Sequence, residues 1–336
     1  MRYALIGCGR VANSHITAAR NNHLNIAALC DIDPKPHLQL DDVPRFADYR
    51  DMLSALCPEL VAIATPSGLH AQMALDCLDA GAHVIIEKPM AMNLADAAKI
   101  AEKAKETGLV VGVNLQNRFN PAAQQLKAAV DAGRFGRIFS ASMQLQWHRD
   151  DGYYTSAAWR GTHAQDGGAM MNQSIHGIDL LNWMMGADPV QVKAFRSTLA
   201  RNIEAEDLAA VALQYPGGAL ASLQCTTLRY HGAQEQILEL NGERGFVRLG
   251  GSCAQVIDIW RFDDNAPDEE ARMRRDFGTS PTSVYGHGHS LHYADVLRAI
   301  ATGTQPLVNA DEGMRALKII LAAYANAPVG EVRYSI

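Results

Sequence analysis

No apolar run in this sequence is longer than a buried strand, so nothing in it reads as a helix built to span a bilayer. Basic residues never cluster. The chain has 30 Lys and Arg against 36 Asp and Glu, a net charge of −6, which argues against a nucleic-acid footprint or a membrane-surface patch. Internal repeats and low-complexity tracts are absent. Cys8, Cys30, Cys57, Cys77, Cys225 and Cys253 form no close pair and lie mostly in apolar segments. They read as reduced thiols, not as a disulfide or zinc framework. "MRYALIG" enters a strand pattern at once, so no signal peptide is expected and the expected location is cytoplasmic.

What is present is a globular composition, 48% hydrophobic and 20% charged over 336 residues. That length exceeds what one core usually organises, so two domains are expected. The first third alternates strand and helix: "YALIG", "NIAALCD", "LVAIATP", "HVIIEKP" and "LVVGVN" are strands between amphipathic helices. Continuous apolar strands of this kind belong to a parallel sheet covered on both faces. After "NRFNP" the pattern changes to longer alternating strands joined by "YPGG" and "NGERG" turns. The expected fold is α/β: a Rossmann doubly wound sheet over residues 1–118, then an α+β domain over 119–336 with an open-faced, largely antiparallel sheet. "DDNAPDEEARMRRD" is expected to be a solvated loop, followed by helices near His289 and Asp311.

"GCGRVA" lies between the first strand and the first helix and matches G-x-G-x-x-G/A. Gly7 makes the tight turn, Gly9 lets backbone approach a pyrophosphate, and Ala12 permits close helix packing. Asp31, ending the second strand, is placed for the adenosine ribose hydroxyls and favours NAD over NADP. "VIIEKPM" ends a buried strand with Glu87, Lys88 and Pro89, at the edge where doubly wound sheets hold ligands. That segment alone fits a site lysine or a surface Glu–Lys pair equally well. In "MMNQSIHGIDLLNWMMG" an otherwise apolar helix carries Asn172, His176 and Asp179 at helical spacing, as one polar stripe.

The order of "GCGRVA", "ATPSGLH", "EKPMA" and "WRGTHAQDGGAMMNQSIHGIDLLNWMMG" resembles the Gfo/Idh/MocA oxidoreductases along essentially the whole chain. The resemblance implies NAD as cofactor, no metal, and a homo-oligomer, expected to be a tetramer, built on the outer face of the C-terminal sheet. It places the E-K-P lysine on Lys88 and the motif histidine on His176, followed by Asp179. Gly7, Gly9, Arg10, Val11, Asp31, Thr65, Pro66, His70, Glu87, Lys88 and Gln116 are the implied cofactor contacts. Substrate contacts fall on Lys88, Asn117, Arg118, Arg160, Asn172 and His176, with Arg118 and Arg160 as candidate bidentate partners of an acidic substrate. Within the family, "QNRFNPAAQQLK" and "TLARNIEAED" look most like UDP-N-acetyl-2-amino-2-deoxyglucuronate dehydrogenases of lipopolysaccharide O-antigen synthesis. That likeness implies a nucleotide-sugar substrate oxidised at its 3-hydroxyl and 2-oxoglutarate as hydride acceptor.

One departure matters: many members carry aspartate where this chain has Asn172. An amide orients an imidazole but cannot stabilise its charged form. His176 is assigned as general base and Lys88 as the cation beside the developing alkoxide, with Asn172 and Asp179 orienting the imidazole and the sugar. Neighbours of this kind titrate together, so the two roles are exchangeable at this stage. His287, His289 and His292 in "HGHSLH" have no nearby cysteine or carboxylate in sequence, and they are expected to line the substrate cleft without a metal. Two rival readings stand beside this one: a dehydrogenase of a free sugar or polyol such as myo-inositol, and a non-catalytic NAD(H)-binding sensor.

Overall fold

Apolar strands flanked by turn residues assemble into two separate sheets, one in each of two units of a computed structural model. It describes all residues except 34–37, 39, 41, 231–233, 279–287 and 328–336. His287 and most of "SVYGHGH" therefore lie outside the described residues. The first unit comprises residues 1–116 and 287–314, the second 117–286 and 315–336. None of the described helices is long and apolar enough to cross a membrane.

In the first unit, β1 (Arg2–Ile6), β2 (Asn25–Cys30), β3 (Arg45–Phe46), β4 (Leu60–Ile63), β5 (His83–Ile86) and β6 (Val111–Val113) form one parallel sheet in the order β3-β2-β1-β4-β5-β6. The order reverses at β1 and β4, the arrangement of a dinucleotide-binding doubly wound sheet. Helices α1 (Ala12–Asn21), α2 (Tyr49–Leu56), α3 (His70–Asp79) and α4 (Leu94–Thr107) make the connections. Residues 287–314 were expected in the C-terminal domain, and the structure returns them to this unit. Tyr293, Val296 and Ala299 are buried in one core with Tyr3, Leu5 and Ile16, so this stretch must lie against the first sheet to cover its apolar side.

The second unit begins with α5 (Pro121–Asp131), whose proline occupies the first turn, where its missing N–H costs nothing. The remaining elements are β7 (Ile138–Gln146), α6 (Asp151–Thr155), α7 (Ile175–Met185), β8 (Gln191–Ser197), β9 (Leu208–Gln214), β10 (Leu220–Thr226), β11 (Glu235–Gly242), β12 (Gly245–Gly250), β13 (Val256–Phe262) and α8 (Glu269–Phe277). Two further helices follow: α9 (Gly288–Thr302), in the first unit, and α10 (Ala310–Asn326). The second sheet runs β13-β12-β11-β7-β10-β9-β8 and is antiparallel except where β7 meets β10. Ala209, Val211, Leu213, Ala221, Leu223 and Cys225 are buried along one face of β9 and β10, whereas Ala210, Ala212 and Leu220 are exposed on the other. Phe195 on β8 is 75% exposed.

Two further features depart from expectation. The acidic stretch read as a loop forms α8, whose polar sequence conceals what it packs on. Glu269 is buried, accepting from Arg134 at 2.7 Å and from the Trp260 indole at 2.9 Å. Acidic Glu269 and Glu270 in its first turn and Arg274 and Arg275 in its last also suit the helix dipole. The polar stripe changes too, because Ala169–Ser174 is a π-helical turn leading into α7. Its wider turns break the 3.6-residue spacing that placed Asn172 on one face with His176. Gly168, just before it, can be nothing larger, since a Cβ there would lie 2.2 Å from the Glu206 carbonyl oxygen.

Candidate active site

Gly7 sits at φ +97°, and a Cβ there would lie 2.5 Å from the Ala64 carbonyl, so the β1–α1 turn needs glycine. No atom lies within 4 Å of a Cβ built on Gly9, which leaves the approach to the α1 N-terminus open. Val11 precedes α1 without a side-chain cap, so the helix presents backbone donors to an anion. Asp31 accepts from the Cys8 amide at 2.7 Å through one oxygen and from the Asp33 amide at 2.9 Å through the other. Half-buried and held this way, it keeps lone pairs for ribose hydroxyls. These residues fit a dinucleotide. The exposed Arg10 and the half-buried Thr65 and Pro66 follow the ends of β1 and β4. His70 is buried, with ring nitrogens 2.8 and 2.9 Å from the carbonyl oxygens of Pro89 and Thr65. A neutral ring donates to one of the two and packs against the other, so His70 sits between the strand-end loops after β4 and β5.

At the end of β5 the Lys88–Pro89 bond is cis and Lys88 is half-buried. Beneath it Glu87 accepts from two distant segments, His15 Nε2 at 3.0 Å and the Asn114 amide, and from the adjacent Lys88 backbone N–H at 3.2 Å. His289 Nε2 lies 3.5 Å away. Burial alone would raise the Glu87 pKa, but the bonds from His15 and His289 outweigh it and hold the carboxyl well below its usual range. Burial pushes His15 down, so its imidazole is neutral. A neutral ring that donates from Nε2 must accept at Nδ1. The Tyr293 hydroxyl lies 2.7 Å from that nitrogen and the Tyr3 hydroxyl 2.9 Å from Tyr293. Tyr3, Tyr293, His15 and Glu87 thus form one directed chain of donors. His289 and His292, read as cleft-lining and without a carboxylate neighbour, are instead buried in the first unit, His289 beside Glu87. His15, Glu87 and His289 have ligand-type atoms within 4.8 Å of one another. Within this group the His15 Nε2 proton is directed at the carboxylate.

In the second unit Asp179, expected to orient the imidazole and the sugar, is held by an arginine. Both its oxygens accept from Arg118, at 2.8 and 2.6 Å, and both side chains are 1% exposed. Arg118, expected on the substrate, is therefore an internal partner, also stacked over Trp183 at 5.1 Å. Asn172 donates to Asp166, a buried carboxylate that also accepts from the Gly161 amide at 2.7 Å. Asn172 and His176 are half-buried, and Gln116 and Asn117 fully so, each within its own unit. Arg160 is half-buried, bonded through Nε to Ser156 at 3.0 Å. Glu206 is fully buried and accepts from the Met170 amide at 2.8 Å, which anchors the start of the π-turn.

Residues 1–115 match the oxidoreductase family's NAD-binding Rossmann fold, and residues 123–248 match the GFO/IDH/MocA C-terminal domain. The chain belongs to the Gfo/Idh/MocA oxidoreductase family. Like its relatives, this Gfo/Idh/MocA protein is an NAD-dependent dehydrogenase. The WlbA dehydrogenase of Chromobacterium violaceum, solved with NADH and UDP-GlcNAcA, is 36% identical. That similarity covers 97% of this chain and 93% of the other with a TM-score of 0.89. The Bordetella pertussis WlbA dehydrogenase, solved with the same two ligands, is 35% identical over 97% and 95% of the two chains, TM-score 0.87. D-apiose dehydrogenase of Paraburkholderia graminis is 27% identical over 97% of this chain and 88% of its own.

Sequence reasoning missed His15, Asn114, Asp166 and Glu206. His15 carried a signal, an imidazole on the face of α1 that also carries the buried Ala12, Ile16 and Ala19. Asp166 carried another, a carboxylate just before two glycines and the helix.

Two outcomes follow from the first unit. NAD should bind at least about tenfold more tightly than NADP by calorimetry, because a 2′-phosphate would meet the Asp31 carboxylate. Equal affinities would remove that role. The second concerns pH. Burial lowers His15, His70 and His292, the last to about 3. Unfolded, they take protons near about pH 6.5, so stability is full above that value and falls as pH drops towards the folded pKa values. Glu87 is depressed, so its contribution is present above about pH 4.5 and lost below it. Urea midpoints should decline from about pH 7 downward, each histidine adding a slope of up to about 1.4 kcal/mol per pH unit. A midpoint independent of pH between about 7 and 5 would contradict the buried neutral imidazoles.

Proposed function

We propose that this dehydrogenase oxidises the 3-hydroxyl of a UDP-N-acetylated glucosaminuronic acid to the 3-keto sugar, in the cytoplasm, as a step of lipopolysaccharide O-antigen synthesis. The observation that carries the reading is full-length similarity, at 36% and 35% identity, to two WlbA dehydrogenases solved with NADH and UDP-GlcNAcA. 2-Oxoglutarate is the proposed acceptor that returns NADH to NAD, its keto group reduced to the alcohol. The protein works as a homotetramer joined through the outer face of the second sheet. Support comes from Phe195 and Leu220, 75% and 56% exposed on strands whose opposite face is buried.

NAD supplies the hydride acceptor. His176 takes the hydroxyl proton, because an imidazole with a reference pKa of about 6.5 is largely unprotonated at neutral pH, whereas lysine starts near about 10.4. The Lys88 ammonium faces the developing alkoxide and stabilises it electrostatically. Lys88 can be held there because its backbone N–H is fixed by Glu87 at 3.2 Å. Asn172, anchored on Asp166, orients substrate and imidazole without adding a second carboxylate. Asp179 supports from behind through Arg118. Gln116, Asn117 and Arg160 are the remaining proposed ligand contacts. A free sugar is the second reading, favoured by the full-length similarity to D-apiose dehydrogenase.

NADH absorbance across a panel of UDP-sugars and free sugars, with and without 2-oxoglutarate, separates the two. UDP-GlcNAcA should raise NADH absorbance when 2-oxoglutarate is absent, and with 2-oxoglutarate present the absorbance should fall back while more 3-keto sugar forms. Activity confined to uncharged free sugars would refute the nucleotide-sugar reading. His176→Asn should lower turnover by roughly a hundred- to ten-thousand-fold while NAD affinity is kept. Near wild-type turnover in a folded variant would remove His176 as the base.

A further inference from the structure

His15 lies one turn into α1, the helix whose uncapped N-terminus suits the anion of the cofactor, and it is fully buried. The hydride transfer proposed above makes no use of it. Its ring is nonetheless contacted on several sides within the first unit. The Tyr293 hydroxyl of α9 lies 2.7 Å from Nδ1, and the Tyr3 hydroxyl of β1 lies 2.9 Å from that of Tyr293. The His289 ring stands edge-on to it, 5.4 Å between centroids and 88° between planes. The other nitrogen, Nε2, reaches Glu87 Oε1 at 3.0 Å. A side chain at this position must accept on one edge and donate on the other, as a neutral imidazole does.

The two oxygens of Glu87 divide their partners. Oε1 takes His15 and the Asn114 amide, whereas Oε2 takes the backbone N–H of Lys88 at 3.2 Å. A carboxylate bonded only to the amide of the next residue keeps the rotamer freedom to turn away from it. Donors from α1 and from the end of β6 remove that freedom. The rotation of the Glu87 carboxylate is thus set on one oxygen by His15 and felt on the other by residue 88.

We infer that His15 is a positioning residue for Lys88, acting through Glu87: its bond to the carboxylate sets where residue 88 stands, and so how well the ammonium meets the developing alkoxide. The inference rests on the role proposed for Lys88 and is independent of which sugar is oxidised. His15→Leu removes both bonds of the ring. His15→Asn is milder, since its shorter amide reaches Tyr293 but stops short of Glu87. His15→Gln keeps an acceptor and a donor at about the reach of the imidazole. With NAD and the sugar that the wild-type protein oxidises fastest, the Leu and Asn variants should each lose about ten- to a hundredfold in kcat, as a displacement of about 1 Å does. His15→Gln should return kcat to within about fivefold of wild type. Calorimetric NAD affinity should stay within about threefold in all three, because the α1 N-terminus offers backbone donors, and it reports that they fold. The deciding comparison adds Lys88→Met. A residue that works only through Lys88 has nothing to act on once the ammonium is gone, so His15→Asn should then cost no more than about twofold further. An equal loss in both backgrounds makes His15 a support of the fold alone, which overturns the inference and leaves Lys88 its role. Unchanged kcat in folded Leu or Asn variants overturns it in the same way. Near wild-type turnover by Lys88→Met removes the role of Lys88 and the inference together.

Discussion

The Glu87 carboxylate, buried yet ionised, is the constraint on which the first unit depends. Taking such a charge out of water costs several kcal/mol unless donors surround it. Those donors come from α1, from the end of β6 and from α9, besides the amide of the next residue. Segments far apart in sequence must therefore meet at one oxygen pair. This is why residues 287–314 leave the C-terminal half to join the N-terminal unit: α9 brings His289 to the carboxylate and Tyr293 to the other side of His15. The same carboxylate accepts from the backbone of Lys88 and so fixes the end of β5.

The second unit repeats the device with other partners. Around α7 three buried carboxylates each hold a different partner. Asp179 holds Arg118, Asp166 holds Asn172, and Glu206 anchors the π-turn. This accounts for an amide at position 172. A carboxylate at position 172 would face the Asp166 carboxylate in the same buried setting, and two like charges so close cannot both stay ionised. Asparagine donates instead.

Local backbone chemistry was the legible part of the sequence. "GCGRVA" followed by a helix, and Asp31 closing the second strand, name their own geometry because a tight turn and a free helix N-terminus need those residue types. The alternating strands of the second half were readable for the same reason, since burial on one face imposes a period of two. Partners distant in sequence were not. Arg118 read as a substrate ligand because Asp179 lies far along the chain, and the α8 segment read as loop because its buried contacts are with Arg134 and Trp260. The stripe of Asn172, His176 and Asp179 was visible as a polar set on an apolar helix. Its π-turn was not, because Glu206 and the close approach at Gly168 impose it from outside the helix.

Hydride transfer from the third ring carbon of a nucleotide sugar is the chemistry these arrangements are proposed to serve. UDP-GlcNAcA carrying deuterium only at C3, incubated with NAD and the full-length protein, tests it most directly by NMR. Deuterium should appear at the nicotinamide C4 position as the 3-keto sugar accumulates. Unlabelled NADH, or deuterium retained on the sugar while another carbon is oxidised, would contradict it.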